Sequence, residues 1–228
     1  MAWGYSTGST NLFMIAKQAA QAAIEEAADA RDPVSFKPLI SVVFAALAGE
    51  AFVNELSTVA RHPSVADPEL GPEPPEVGDL IELLSEAEDS RAQTGFKFLI
   101  GKLALSRHTY DKGTNPYQDF ATLMDLRNEL VHMKPRRIEG VLAKGVYPSF
   151  ERPKVIERLS TKGVLARRGG SWLRGDWLSL VSTPATARWA CNVTSAIVFD
   201  LCASMPPSQF RARAEMHYLE HGIFDPVP

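Results

Sequence analysis

The chain has 228 residues, of which 45% are hydrophobic, and its 24 Lys and Arg and 27 Asp and Glu give a formal net charge of −3. This length and composition suffice for one sizeable hydrophobic core and are typical of an ordinary soluble globular chain. The slight negative charge excludes a surface that is basic everywhere, so any contact with nucleic acid has to come from local patches.

Two long helices are predicted in the N-terminal part, because apolar residues recur at helical spacing over about 11–30 and 36–60. The second helix has one apolar face that is interrupted only by Glu50 and Asn54. We expect this helix to be central to the core, and we expect the two polar side chains to satisfy buried hydrogen bonds. Its most apolar run, 38–48, is too short to span a bilayer, so no membrane segment and no membrane partner are expected.

A proline-rich and acidic loop is predicted at 62–78, and shorter helices follow at 77–91 and 94–106. The stretch 111–116 has the composition of a turn and offers an N-cap before Pro116 at the first helical position. The next helix, 116–134, has a core-facing stripe of Phe and Leu.

The charge balance reverses along the chain. Residues 61–93 contain two Arg and nine acids, whereas residues 134–174 contain eleven Lys and Arg and three acids. Within the basic stretch, 164–181 has paired glycines between short apolar runs, which is the pattern of a hairpin. Helices return at about 183–203 and 208–221.

The N-terminus lacks the charged, apolar and small-residue regions of an export signal, which favours a cytoplasmic location. Cys191 and Cys202 lie on one face of a predicted helix, about 16 Å apart along its axis, so a disulfide between them is excluded if that helix forms. Both are expected to be reduced core thiols.

The most informative segment lies at the end of the 116–134 helix. Arg127 is followed directly by Asn128, and His132 comes after two aliphatic residues, with four residues between the arginine and the histidine. The bare spacing is weak evidence, because Arg211 and His217 have five residues between them and Ala212 follows that arginine. The neighbouring amide and the helical context therefore carry the inference at Arg127.

In these residues, Arg127, Asn128 and His132, the sequence resembles the HEPN family, helical domains whose catalytic members are metal-independent ribonucleases of toxin-antitoxin, phage-defence and RNA-processing systems. The apolar helix around 46–56 is similar to the long core helix that precedes the motif helix in many such domains. The likeness covers roughly residues 10–135. It implies an endoribonuclease of single-stranded RNA, acting as a toxin or defence effector and restrained by an antitoxin or another regulatory protein.

The residue types fit this chemistry independently of the family. Imidazole titrates near neutral pH, so His132 can take the proton of a 2′-hydroxyl or protonate the leaving oxygen. Arg127 can bind two phosphate oxygens with its planar fork and stabilise charge that develops at phosphorus. Asn128 can orient either the imidazole or the phosphate.

Helix geometry makes the prediction one about two chains. Residues five apart on an α-helix diverge by about 140°, so Arg127 and His132 of one copy do not point the same way. Two copies around a twofold axis would bring both pairs into one cleft, as in the composite sites of HEPN ribonucleases. A homodimer is therefore expected.

Other interpretations remain open. An Arg and a His at a helix C-terminus can serve only the helix dipole and its carbonyls, in which case Arg127 would pair with an acid and His132 would be buried. A third interpretation is a binding module that holds RNA, a nucleotide or a protein without cleaving. Lys134, Arg136 and Arg137 follow the motif directly and are the candidate RNA contacts. Trp172 and Trp177 would either stack on bases or pack inward.

The sequence thus predicts an all-α protein, an antiparallel HEPN-like bundle with a basic, partly irregular insertion and C-terminal helices. Residues 1–135 would form the bundle with the motif, 136–182 the insertion, and 183–228 helices that pack on the same bundle. No cofactor is expected, and no Cys and His spacing typical of a zinc site is present.

Overall fold

The computed structural model describes residues 8–29, 35–61, 72–133, 138–139, 149–150, 152–165, 177–219 and 222–228. These residues are almost entirely helical, which confirms the predicted all-α bundle. The helices are α1 (Gly8–Asp29), α2 (Lys37–Arg61), α3 (Pro75–Asp89), α4 (Thr94–Ser106), α5 (Tyr117–Val131), α6 (Lys154–Thr161), α7 (Trp177–Val181), α8 (Pro184–Ala203) and α9 (Gln209–Ala214). A π-helical turn, Glu215–Leu219, follows α9, and two-residue strands β1 (Ile138–Glu139) and β2 (Ser149–Phe150) pair antiparallel.

Helix α2 lies at the centre of the bundle, as its apolar composition predicts. It packs against α1, α3, α4, α5, α8 and α9. Its 25 residues are long and apolar enough, by length and composition alone, to cross a membrane, although the run 38–48 is short. Half of its most apolar window is buried by the other helices, and the core helix of a soluble protein meets the same criteria.

The close approach of α5 to α2 depends on Gly49. A Cβ at this position would lie 2.6 Å from Cε2 of Phe120 on α5 and 3.7 Å from Cγ2 of Thr194 on α8. The hydroxyl of Thr194 also donates a hydrogen bond of 3.0 Å to the carbonyl of Ala45. The missing side chain therefore lets α5 pack closely against this turn of α2, whereas α8 contacts the same turn at an ordinary distance.

The segment 222–228 is part of the core. Phe224 is buried and stacks on Phe13 of α1 with ring centroids 4.6 Å apart. The Asn192 side chain donates to the carbonyl of Val227 at 3.2 Å and accepts from the amide of Val227 at 2.7 Å. One amide side chain on α8 thus holds both backbone groups of a residue in this segment.

Both cysteines are buried and free in α8, as predicted. Burial raises the pKa of the Cys191 thiol to about 11 and that of the Cys202 thiol to about 12. Both thiols are therefore protonated, and unreactive as nucleophiles, near neutral pH.

Three predictions of secondary structure are wrong in detail. Pro116 occupies the N-cap of α5 rather than its first helical position, and α5 ends at Val131, short of the predicted 134. The helix expected at 208–221 is interrupted, because α9 gives way to the π-helical turn at Glu215.

The hairpin expected at 164–181 is also wrong over its last part. Trp177–Val181 is helical, and both Trp177 and Val181 are buried. Short apolar runs do not distinguish strand from helix by pattern, and here burial against the bundle decides the outcome. Residues 166–176, with the paired glycines, lie outside the described residues.

We expect Gly49→Ala to lower the free energy of unfolding by about 1–3 kcal/mol, because its Cβ would overlap the Phe120 ring in a closely packed core. Gly101→Ala on α4 is the matched control, since its Cβ would meet its nearest atom, Cδ1 of Leu80, at an ordinary 3.7 Å. Helix propensity then leaves that variant unchanged or more stable by up to about 1 kcal/mol. Urea denaturation of the two variants measures the difference, and equal losses would contradict the close approach at Gly49.

Candidate functional site

Helix α5 is held on two sides. Its apolar stripe, which includes Phe120, Leu123 and Leu126, is buried in the bundle. On its outer side α6 adds two ion pairs, from Arg158 to Asp125 and from Lys162 to Asp119, each with an N···O distance of 2.5 Å. These ion pairs tie the first turn and the middle of α5 to α6 and its C-cap residue, Lys162.

Helix α5 contacts α2 at two points. Phe120, near the start of α5, packs at Gly49 and against Phe98 of α4, whose ring also contacts Phe52 of α2. Arg127, two turns later on α5, reaches Glu50. Both points lie on one turn of α2.

Arg127 forms the one link in the candidate site between these two helices. Its Nη2 donates to Oε2 of Glu50 at 2.9 Å, and its Nη1 donates to Oδ1 of the adjacent Asn128 at 2.9 Å. The side chain is 20% exposed, and its Nε is buried with no acceptor among the described residues. The guanidinium is thus fixed by the protein on one edge while the Nε edge has no protein partner there.

His132 lies outside the helix. It is the C-cap of α5, with φ −109° and ψ 41°, and its backbone amide donates to the carbonyl of Asn128 at 2.9 Å. Its residue is exposed, and within the described part of the chain its imidazole has no hydrogen bond. Because the backbone leaves helical geometry at this residue, the ideal 140° does not by itself fix the direction of the imidazole.

The structure places Arg127, Asn128 and His132 at one end of one helix and joins the first two by a hydrogen bond. Lys134, Arg136 and Arg137, the predicted RNA contacts, lie outside the described residues, as does Trp172. Trp177 packs inward and is buried, so it is not a stacking platform for a base.

The sequence predicts a hydrogen bond for Glu50 but neither its partner nor its exposure. The predicted hydrogen bond is present, and its partner is Arg127. The Glu50 side chain is not fully buried, because about one-third of it is exposed. Asn54 also accepts a hydrogen bond, of 2.8 Å from Nζ of Lys97, yet it is exposed. A carboxylate on an apolar helix face signals that a partner is needed, but it does not say which one.

The second Arg and His pair has a different environment. Nε of Arg211 pairs with Glu215, one turn further along, at 2.8 Å, and its Nη1 donates to the carbonyl of Met205 at 3.1 Å. Its partners are thus local to α9 and its flanking turns. Similar spacing in sequence therefore does not give similar sites.

Apolar side chains flank His132. Val131 is 53% exposed and Met133 is 58% exposed. Two large apolar side chains are therefore open to solvent beside the histidine.

Within the described ranges, no group of three or more His, Cys, Asp or Glu side chains is arranged to hold a metal ion. Comparisons with protein-family models, with curated proteins and with solved structures found no match.

We expect a double-mutant cycle of Arg127→Ala and Glu50→Ala to give a coupling energy of about 1 kcal/mol, because the pair is partly buried and well aligned. The more exposed Arg158 and Asp125 pair is the control, with an expected coupling of about 0.3 kcal/mol. Urea denaturation of each set of variants gives both values. A coupling near zero for Arg127 and Glu50 would contradict the pairing.

Proposed function

We propose that the chain is a metal-independent endoribonuclease that cleaves single-stranded RNA at a site shared by two copies. The observation that carries the proposal is the arginine at the end of α5, oriented by Glu50 and Asn128 beside an exposed histidine. This constellation supplies a proton-transfer group and a phosphate-binding group close together in sequence. The resemblance to HEPN ribonucleases rests on the same residues.

In the proposed reaction the 2′-oxygen attacks the adjacent phosphorus, and the bond from phosphorus to the 5′-oxygen breaks. His132 accepts the proton of the 2′-hydroxyl, and the protonated His132 of the partner subunit donates a proton to the leaving 5′-oxygen. The products are a 2′,3′-cyclic phosphate and a free 5′-hydroxyl. No water, redox partner or metal enters this step.

Arg127 stabilises the charge that develops on the non-bridging phosphate oxygens. Each of its two terminal nitrogens uses one N–H on Glu50 or Asn128, so the second N–H of each remains for the phosphate oxygens, whereas its Nε is buried. In this proposal Glu50 and Asn128 are positioning residues, which orient the guanidinium before RNA binds. Preorganised donors avoid the cost of rearrangement in the transition state.

The flanking apolar residues support the shared site. A second copy packed on the end of α5 would bury Val131 and Met133 and would bring two His132 side chains near each other. The proposed setting, a cytoplasmic toxin or phage-defence effector restrained by an antitoxin or another regulatory protein, follows from the family resemblance.

A second candidate is a non-catalytic module that binds RNA, a nucleotide or a protein. Two nitrogens of Arg127 already have partners within the chain, and one partner is the Glu50 carboxylate, which neutralises the charge of the guanidinium. This neutralisation favours the non-catalytic module. The purely structural interpretation has support in that same ion pair, but its buried histidine is not observed, because His132 is exposed.

We expect the purified protein to cleave a mixed-sequence single-stranded RNA in the presence of EDTA. His132→Ala should lower the cleavage rate by at least about 10²-fold and Arg127→Ala by about 10²–10³-fold, because these groups would transfer the proton and stabilise the phosphate charge. Denaturing gels resolve the fragments, and mass spectrometry identifies the cyclic phosphate.

The second Arg and His pair supplies the control. Arg211→Ala and His217→Ala should retain the rate within roughly twofold, since a residue outside the transition state does not change its stabilisation. Thermal melting checks that every variant is folded. Cleavage that requires a divalent metal, or that survives both α5 substitutions, would overturn the proposed metal-independent mechanism. RNA binding without cleavage by all variants would support the non-catalytic binding module.

We expect the protein to sediment as a dimer at micromolar concentration and the double variant Val131→Asp, Met133→Asp to sediment as a monomer, because two buried charges would oppose the interface. RNA cleavage should be lost in parallel. Met216→Asp is the control, since Met216 is 48% exposed on the π-helical turn and is not part of the α5 end. A native monomer that cleaves RNA would disprove the shared site.

A further inference from the structure

A groove runs between α3 and α4, away from the residues of the Arg127 site. It has a volume of about 400 Å³ and is lined by Asp79, Glu82, Leu83, Glu86, Leu103, Ala104 and Arg107. None of these residues belongs to the candidate site on α5. The groove is therefore a separate feature of the surface.

The floor of the groove is apolar and incompletely covered. Leu103 in the groove is 40% exposed, and Phe96, which lies beyond the groove lining and seven residues earlier on α4, is 52% exposed. Residues seven apart on an α-helix lie within about 20° of each other around the axis and roughly 10 Å apart along it. Together with Leu83 of α3, they form an apolar stripe about two helical turns long.

The rim of the groove is acidic. Helix α3 contains six acids and no Lys or Arg. Arg107 forms ion pairs with two of these acids, with N···O distances of 2.8 Å to Asp79 and 3.5 Å to Glu76. Lys97 pairs with Glu88, further along the same helix.

Glu82 and Glu86 have no such partner. Both are exposed, and neither forms an ion pair with any residue in the described part of the chain. They are four residues apart, so they project from one side of α3 about one turn from each other. Two uncompensated carboxylates beside an open apolar stripe define the chemistry of what can bind there.

We propose that this groove is the docking site for a basic amphipathic helix of a partner protein. The partner would place apolar side chains at helical spacing on Leu103 and Phe96, and Lys or Arg side chains one turn apart against Glu82 and Glu86. Burial of the apolar stripe supplies the attraction, and the paired charges select the partner and its register.

The groove does not suit the other classes of ligand. The carboxylates repel the phosphates of RNA, so the groove is not an extension of the proposed nuclease site. A small cation such as a polyamine would neutralise the rim but leave Phe96 and Leu103 exposed. A helix of three to four turns satisfies the apolar stripe and both charges at once.

The test uses a labelled synthetic peptide of 18 residues with Leu at helical spacing on one face and Lys on the other, and fluorescence anisotropy at about 0.15 M salt. The native full-length protein should bind this peptide at least tenfold more tightly than a scrambled peptide of the same composition. A matched peptide with Glu in place of Lys should not bind. Equal affinity for all three peptides, or binding of none, would overturn the proposal.

Variants of the protein locate the binding. The double variant Glu82→Lys, Glu86→Lys should lose at least about tenfold in affinity because two attractions become repulsions, and Leu103→Asp should lose a similar amount. Phe96→Ser replaces Leu103→Asp if circular dichroism shows that the latter is unfolded. Glu157→Lys, an exposed acid on α6, is the control for bulk charge. If Glu157→Lys weakens binding as much as the groove variants do, attraction to general negative charge explains the result and the groove is not the site.

Discussion

The close approach of α5 to α2 at Gly49 is the constraint on which the rest of the structure depends. Because this residue has no side chain, the Phe120 ring packs directly on the turn of α2 that it occupies. The next residue of α2 is Glu50, and the same close packing brings it within reach of Arg127. The core and the candidate site are thus two sides of one helix contact. A change that separates the helices would weaken both.

The sequence predicts the long helices well, because their apolar periodicity extends over several turns; the bounds 94–106 match α4. Shorter signals are less reliable, as the helical segment Trp177–Val181 shows where a strand is expected. In the candidate site, too, short-range sequence signals predict only part of the structure. Local context marks Arg127 and Asn128, but the partner Glu50 is 77 residues away in sequence. No periodic pattern specifies which acid an arginine meets across two packed helices.

The two Arg and His pairs show what sequence spacing leaves out. Arg211 pairs with an acid one turn away on its own element, so its interaction stabilises local helical structure. Arg127 pairs with an acid on another helix, so its position depends on the tertiary fold. The charged groups of the two surfaces are also separate: Glu82 and Glu86, which form no ion pair within the described part of the chain, lie on α3, whereas the candidate phosphate-binding residue, Arg127, lies near the end of α5. Two ligands of opposite charge would therefore have separate surfaces on one bundle.

The segment that ends the described structure, 222–228, has a consequence for how the molecule opens. It is held on the bundle by the Phe224 ring, by the Asn192 amide and by Lys17, whose ammonium donates to the carbonyls of Gly222 and Ile223 at 3.1 Å and 3.2 Å, rather than by a continuous helical ladder. We expect such a segment to detach at a lower free energy than the helices unfold. Each detachment uncovers Phe13 and part of the aromatic cluster around Phe52 while the bundle remains intact. The amide proton of Val227 therefore exchanges with solvent through a local opening, on its own timescale.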